Sequence, residues 1–130
     1  MTNISNDRKG RILLIDDEPD IAYLVKVGLE RNGFEVDGYT DPILALQNFK
    51  CGLYQLLVLD IKMPKMDGIQ LLERIKKEDE KIRICFFTAS EEFASTYKNV
   101  FEHPENKFLF VSKPISISKM TKEIEQFLNR

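Results

Sequence analysis

Four short runs of this chain are apolar at consecutive positions, not at alternate ones: Ile12-Leu13-Leu14-Ile15, Leu56-Leu57-Val58-Leu59, Ile84-Cys85-Phe86-Phe87 and Phe108-Leu109-Phe110-Val111. A strand with one wet face alternates. A strand apolar throughout is covered on both faces, as parallel strands between two helical layers are. Strands are therefore expected near 11–16, 55–60, 82–88 and 107–112. The alternating segment 34–39 reads as a half-exposed edge strand. Between them lie helical spacings. One helix runs from Pro19 to the stop at Asn32-Gly33, with Ile21, Leu24, Val25, Gly28 and Leu29 as its inward stripe. A second starts at Asp41-Pro42 and turns Ile43, Leu46 and Phe49 inward. A third opens at Asp67-Gly68 with Ile69, Leu72 and Ile75, and a fourth carries Phe93, Ala94, Tyr97, Val100 and Phe101. The last starts near Ser116 and uses Ile117, Met120, Ile124, Phe127 and Leu128. Five strands alternating with five helices predict an α/β three-layer sandwich, and we assign the flavodoxin-like (βα)5 order 2-1-3-4-5.

With 130 residues the chain suits one domain, taken as 11–130 behind a polar, loose N-terminal tail, 1–10. A net charge of −2 and the absence of a concentrated basic stretch argue against direct nucleic-acid binding. No apolar stretch approaches the ~20 residues that cross a bilayer, so a cytoplasmic protein is the expectation. Cys51 and Cys85 lie in no metal-binding spacing, and His103 stands alone.

The apolar runs end in polar chemistry. The first meets Asp16-Asp17-Glu18, the second Asp60, the fourth-strand run Thr88 and the last Lys113-Pro114. In an open parallel sheet these carboxyl ends gather at one edge, where ligands bind. Adjacent carboxylates repel unless a cation neutralises them, and a small set of oxygen donors suits Mg²⁺. The cluster Asp16-Asp17-Glu18-Pro19 also fits a helix start that complements the helix dipole. Asp60 tips the balance, because it finishes a buried strand well before the next helix begins. It serves either as a metal ligand or as a nucleophile toward a phosphoryl donor. Lys113 would neutralise phosphoryl charge or act as a counter-ion to the carboxylates. Thr88 would bond a phosphoryl oxygen or local backbone, and Phe110 reads as core or as something more.

The set Asp16-Asp17, Asp60, Thr88 and Lys113-Pro114 resembles the receiver domain of two-component response regulators, of the CheY-like kind. So do the motifs Leu14-Ile15-Asp16-Asp17-Glu18-Pro19, Asp60-Ile61-Lys62-Met63-Pro64-Lys65-Met66-Asp67-Gly68 and Phe87-Thr88-Ala89. The resemblance implies that Asp60 accepts phosphate from a histidine kinase or phosphotransfer protein. It implies Mg²⁺ on Asp17, Asp60 and the Lys62 backbone carbonyl, with Asp16 acting through water. Thr88 and Lys113 would bind phosphoryl oxygens, and Lys113-Pro114 would be cis. Phe110 takes the place of the family's switch aromatic, turning inward as Thr88 moves. Lys62 and Ser90 sit where the family tunes the lifetime of the phosphorylated state.

The chain departs from the family between Thr88 and Lys113. That interval is a few residues longer, and Glu105-Asn106-Lys107 replaces the usual Gly-Ala pair, so 90–107 is expected to be atypical. The expected function is a stand-alone phosphorylation switch, not an enzyme, that acts through a downstream protein, with a phosphorylation-dependent dimer among its partners. An interaction module without regulated phosphorylation is the alternative. An aspartyl-phosphate phosphatase of the haloacid dehalogenase kind is disfavoured, since Lys62 stands where its second aspartate belongs.

Overall fold

Three side chains fix where helices begin. Asp41 accepts the amide of Ile43, Asp67 those of Ile69 and Gln70, and Ser116 that of Lys119. Each satisfies a donor that the first helical turn leaves orphaned. The remaining described helix has Pro19 at its first position, where a missing N–H costs nothing. It stops at Asn32 because Gly33 follows with φ 98°.

The computed structural model describes residues 9–61, 63, 65–89, 108–114 and 116–129. Its elements are β1 (Gly10–Ile15), α1 (Pro19–Arg31), β2 (Phe34–Tyr39), α2 (Pro42–Asn48), β3 (Leu56–Leu59), α3 (Gly68–Glu78), β4 (Arg83–Thr88), β5 (Phe108–Ser112) and α4 (Ile117–Leu128). The strands form one parallel sheet in the order β2-β1-β3-β4-β5, as expected. The helix expected over 93–101, and the atypical stretch 90–107 as a whole, lie outside the described residues, as do 1–8 of the expected tail. The tail boundary needs correcting. Gly10 pairs with Phe34 in the sheet, and the Lys9 amide donates to the Gly33 carbonyl at 2.9 Å.

Alternate residues of each strand feed opposite layers. Ile12, Leu14, Val58, Cys85 and Phe87 pack with Val25 and Leu29 of α1 and with Met120, Ile124 and Phe127 of α4. Leu13, Ile15, Leu57, Leu59 and Phe86 pack with Ala45 of α2 and with Leu72 and Ile75 of α3. Each such side chain contributes ~1.5–3 kcal/mol by leaving water. Two expected core residues stand outside. Leu24 is 54% exposed and Ile43 38% exposed. The stripe of α1 runs through Ala22, Val25 and Leu29, and Leu24 sits about 100° around the helix from Val25. The short α2 buries Ala45 in place of Ile43. Between α1 and α4 the packing is tight at Gly28, where a Cβ would collide with the Ile117 side chain.

Candidate functional site

Strand pairing ends one residue before each acidic group. β1 stops at Ile15 and β3 at Leu59, so Asp16 and Asp60 are the first residues past the ladder, at the same rim. The Asp60 amide still donates to the Ile15 carbonyl at 3.0 Å, and the Asp16 amide to Tyr39 at 3.1 Å. Both carboxylates are thus set on the rigid sheet. Asp16 is 1% exposed, Asp60 6% and Thr88, the last residue of β4, 4%; Asp17 is half-buried. Asp16, Asp17 and Asp60 each offer an oxygen within 4.8 Å of the others. The sequence-predicted carboxylates therefore do meet.

Lys113 follows β5 and reaches into the cluster. Its Nζ lies 2.8 Å from Asp16 Oδ2, 3.1 Å from Glu18 Oε1 and 3.2 Å from Asp60 Oδ2. The ammonium also stands 5.2 Å from the centre of the Phe87 ring. The Lys113-Pro114 bond is cis, as the resemblance implied, and the Lys113 amide donates to the Thr88 carbonyl at 2.9 Å. Burial opposes the charge on Lys113, but Asp16, Asp60 and Glu18 outweigh it and hold the ammonium protonated far above its ordinary range. For Asp16 burial wins. Its carboxyl is pushed upward despite Lys113 and the Glu18 amide, which donates to Oδ1 at 3.0 Å.

Gly68 holds the Asp60 turn in place. Its amide donates to the Ile61 carbonyl at 2.7 Å, and a Cβ there would stand 2.6 Å from the Asp60 carbonyl oxygen. Phe110 is half-buried and stacks on Phe86 with ring centres 5.0 Å apart. Lys62 and Ser90 lie outside the described residues. Two contributors escaped the reading of the sequence. Glu18 reads from the sequence as part of a helix start, although its adjacency to the Asp pair is an available signal. The role of Gly68 is a tertiary contact with no local signature.

Three carboxylates, Asp16, Glu18 and Asp60, surround one ammonium and Asp17 adds a fourth to the cluster, an excess of negative charge built from hard oxygen donors. That donor set fits a divalent cation such as Mg²⁺. Beside Lys113 a groove of about 320 Å³ opens, lined largely by Ile21, Leu24, Val25, Phe87, Pro114 and Ile117.

Comparison with known proteins agrees with this geometry. The family model described as the response regulator receiver domain matches residues 12–125. The response regulator receiver protein CpdR of Brucella abortus is 31% identical over 118 residues, covering 91% of this chain and 96% of that one. The transcriptional regulatory protein TctD of Salmonella typhimurium is 28% identical over 120 residues, 92% of this chain and 52% of its own length. The chain spans about half the length of the transcriptional regulators it matches, TctD among them. Among solved structures, response regulator TrrA of Thermotoga maritima, in complex with Mg²⁺ and BeF, superposes with a TM-score of 0.75. It is 29% identical, with 90% of this chain and 97% of that one covered. The HemR receiver domain of Leptospira biflexa shares the fold at a TM-score of 0.82 and 23% identity, with 94% of this chain and 96% of that one covered.

Proposed function

The chain belongs to the response regulator receiver domain family, and from that membership we propose that Asp60 is its phosphoacceptor, fed by a phosphohistidine on a kinase or phosphotransfer protein. The observation that carries this reading is the placement of Lys113 Nζ within 3.2 Å of Asp60 Oδ2, at a rim where Asp16 and Asp17 also converge. Receiver domains are in general signalling modules and not enzymes. The chemistry here is correspondingly spare.

One Asp60 carboxylate oxygen attacks phosphorus. The new O–P bond forms as the P–N bond to the donor imidazole breaks, and its electron pair leaves with the nitrogen. A carboxylate is a weak nucleophile, so alignment and charge neutralisation carry the rate. Asp17, Asp60 and the Lys62 carbonyl would hold Mg²⁺, with Asp16 acting through water, and the ion would supply positive charge against the phosphoryl oxygens. Lys113 adds the charge of its ammonium, which stands beside Asp60. The Thr88 hydroxyl binds a phosphoryl oxygen, and its movement lets Phe110 exchange its place on Phe86 for a more deeply buried one. Phosphorylation so biases an equilibrium between two packings of the β4–β5 edge. Reversal is hydrolysis: water attacks phosphorus and the aspartyl O–P bond breaks, restoring the carboxylate.

The receiver unit runs from Gly10 onward. The groove beside Lys113 gives a protein donor an apolar foothold next to the acceptor. Output passes to a downstream protein, with a phosphorylation-dependent dimer as one form of it. No helix among the described residues is long and apolar enough to cross a membrane. Incubation with acetyl phosphate and Mg²⁺ should add one phosphoryl group by intact mass, and Asp60→Asn should abolish the addition while keeping the fold by circular dichroism. Undiminished labelling of the variant would reject Asp60 as acceptor.

A further inference from the structure

We propose that Glu18 is the group a phosphoryl oxygen displaces from Lys113, a positioning residue that limits how tightly this site holds its phosphoryl group. The role rests on Asp60 being the acceptor. An ammonium has three N–H donors. Three carboxylate oxygens lie around Lys113 Nζ, from Asp16, Glu18 and Asp60, at 2.8, 3.1 and 3.2 Å. Lys113 donates hydrogen bonds to Glu18 and Asp60, while Asp16 Oδ2 is ion-paired with it but accepts no hydrogen bond among the described residues, so a phosphoryl oxygen on Asp60 competes with these carboxylates for the ammonium.

The three differ in what their release costs. Asp16 is 1% exposed and is the nearest to Nζ. Its loss would strand a buried carboxylate, the expensive kind of broken pair. Asp60 carries the phosphoryl group itself and stays. Glu18 is different. Its side chain is 58% exposed and water can take over its solvation at once. It stands on the exposed cap of α1, at the mouth of the groove beside Lys113. No hydrogen bond of the described residues holds its carboxylate except that from Lys113.

Displacement has a second effect. A carboxylate left near a phosphoryl dianion repels it, so Glu18 opposes phosphorylation both by occupying Lys113 and by its charge. This sets it apart from Asp17 and Asp60, whose charge is matched by the cation. Removing the Glu18 charge should therefore strengthen phosphoryl binding, whereas loss of a merely structural contact would weaken it.

The test uses the full chain as wild type, Glu18→Gln and Glu18→Ala. Beryllofluoride, a phosphoryl mimic, is titrated calorimetrically at saturating Mg²⁺. The half-life of the label left by acetyl phosphate is followed by intact mass. Both variants are expected to bind beryllofluoride about tenfold more tightly than wild type, a change of ~1.4 kcal/mol, and to keep the label longer. Equal or weaker binding by both variants, with wild type labelled on Asp60, would overturn the role of Glu18 and leave the acceptor reading standing. Loss of Mg²⁺ binding in Glu18→Gln would make Glu18 a metal ligand and overturn it too. A wild-type chain that neither binds beryllofluoride nor takes label would sink the acceptor reading, and this role with it.

Discussion

Asp37 shows how a single carboxylate on the edge strand β2 is made to behave. Arg11 grips it with two donors, Nε at 3.0 Å and Nη2 at 2.9 Å, and the Tyr54 hydroxyl donates at 2.7 Å. Burial alone would raise this carboxyl, but the hydrogen bonds from Arg11 and Tyr54, with the charges of Arg11 and Lys26, outweigh it and hold it below the ordinary range. A carboxyl whose folded value is depressed stabilises the fold fully above its unfolded value, and that stability drains away as pH falls through the folded one. Urea unfolding at neutral pH and near pH ~3 should thus show a steeper acid loss in wild type than in Asp37→Asn. At the rim, the opposite chemistry prevails: charge is concentrated and left for a ligand. Asp16, Asp17, Asp60, Thr88 and Lys113 were legible because each closes or follows an apolar run, where a polar side chain has no role in the core. Glu18 was not, since its contact with Lys113 spans 95 positions of chain and depends on the turn after β5. Gly68 was hidden for a related reason. Its lack of a Cβ answers to the Asp60 carbonyl, so Gly68→Ala should cost ~1–3 kcal/mol by overpacking and weaken Mg²⁺ binding together, as checked by melting with and without the metal.

Among the elements, α1 and α4 cover one face of the sheet and pack tightly at Gly28 and Ile117. Helix propensity alone would make Gly28→Ala favourable by ~1 kcal/mol. The collision with Ile117 reverses the sign, and we expect net destabilisation. Ile117→Ala in the same chain should relieve it, so that the double variant is more stable than the sum of the two single changes implies. A double-mutant cycle by chemical denaturation reads this directly. Strand positions and helix starts were readable because capping residues and unbroken apolar runs are local signals, whereas the sheet order does not follow from alternation and rested on the choice of a flavodoxin-like arrangement. Helix rotation was read less well. Leu24 and Ile43 are as apolar as their neighbours, and only the reach of the sheet decides that Val25 and Ala45 go inside.

The molecule as a whole divides its labour between the two ends of the sheet. At the base, Arg83 donates to the last carbonyls of α4, Phe127 at 3.0 Å and Leu128 at 2.8 Å. Lys76 donates to Glu80 and Ile82, and Asp79 accepts from Gly52 and Lys81. These bonds close helix ends and turns on one another. At the rim the charges stay unbalanced, so a bound cation is expected to stabilise the entire fold: Mg²⁺ at about 100 times its dissociation constant adds ~2.7 kcal/mol. Thermal melting should show this gain in wild type and its loss in Asp17→Asn or after chelation with EDTA. The single bond between the Lys113 amide and the Thr88 carbonyl has a wider meaning. Thr88 and Lys113, proposed to bind one phosphoryl group from neighbouring strands, are tied together by this backbone hydrogen bond. Neither can travel far alone, so a partner that tugs on either strand end is expected to re-aim both, and the proposed hold on the phosphoryl group would tighten or slacken in concert.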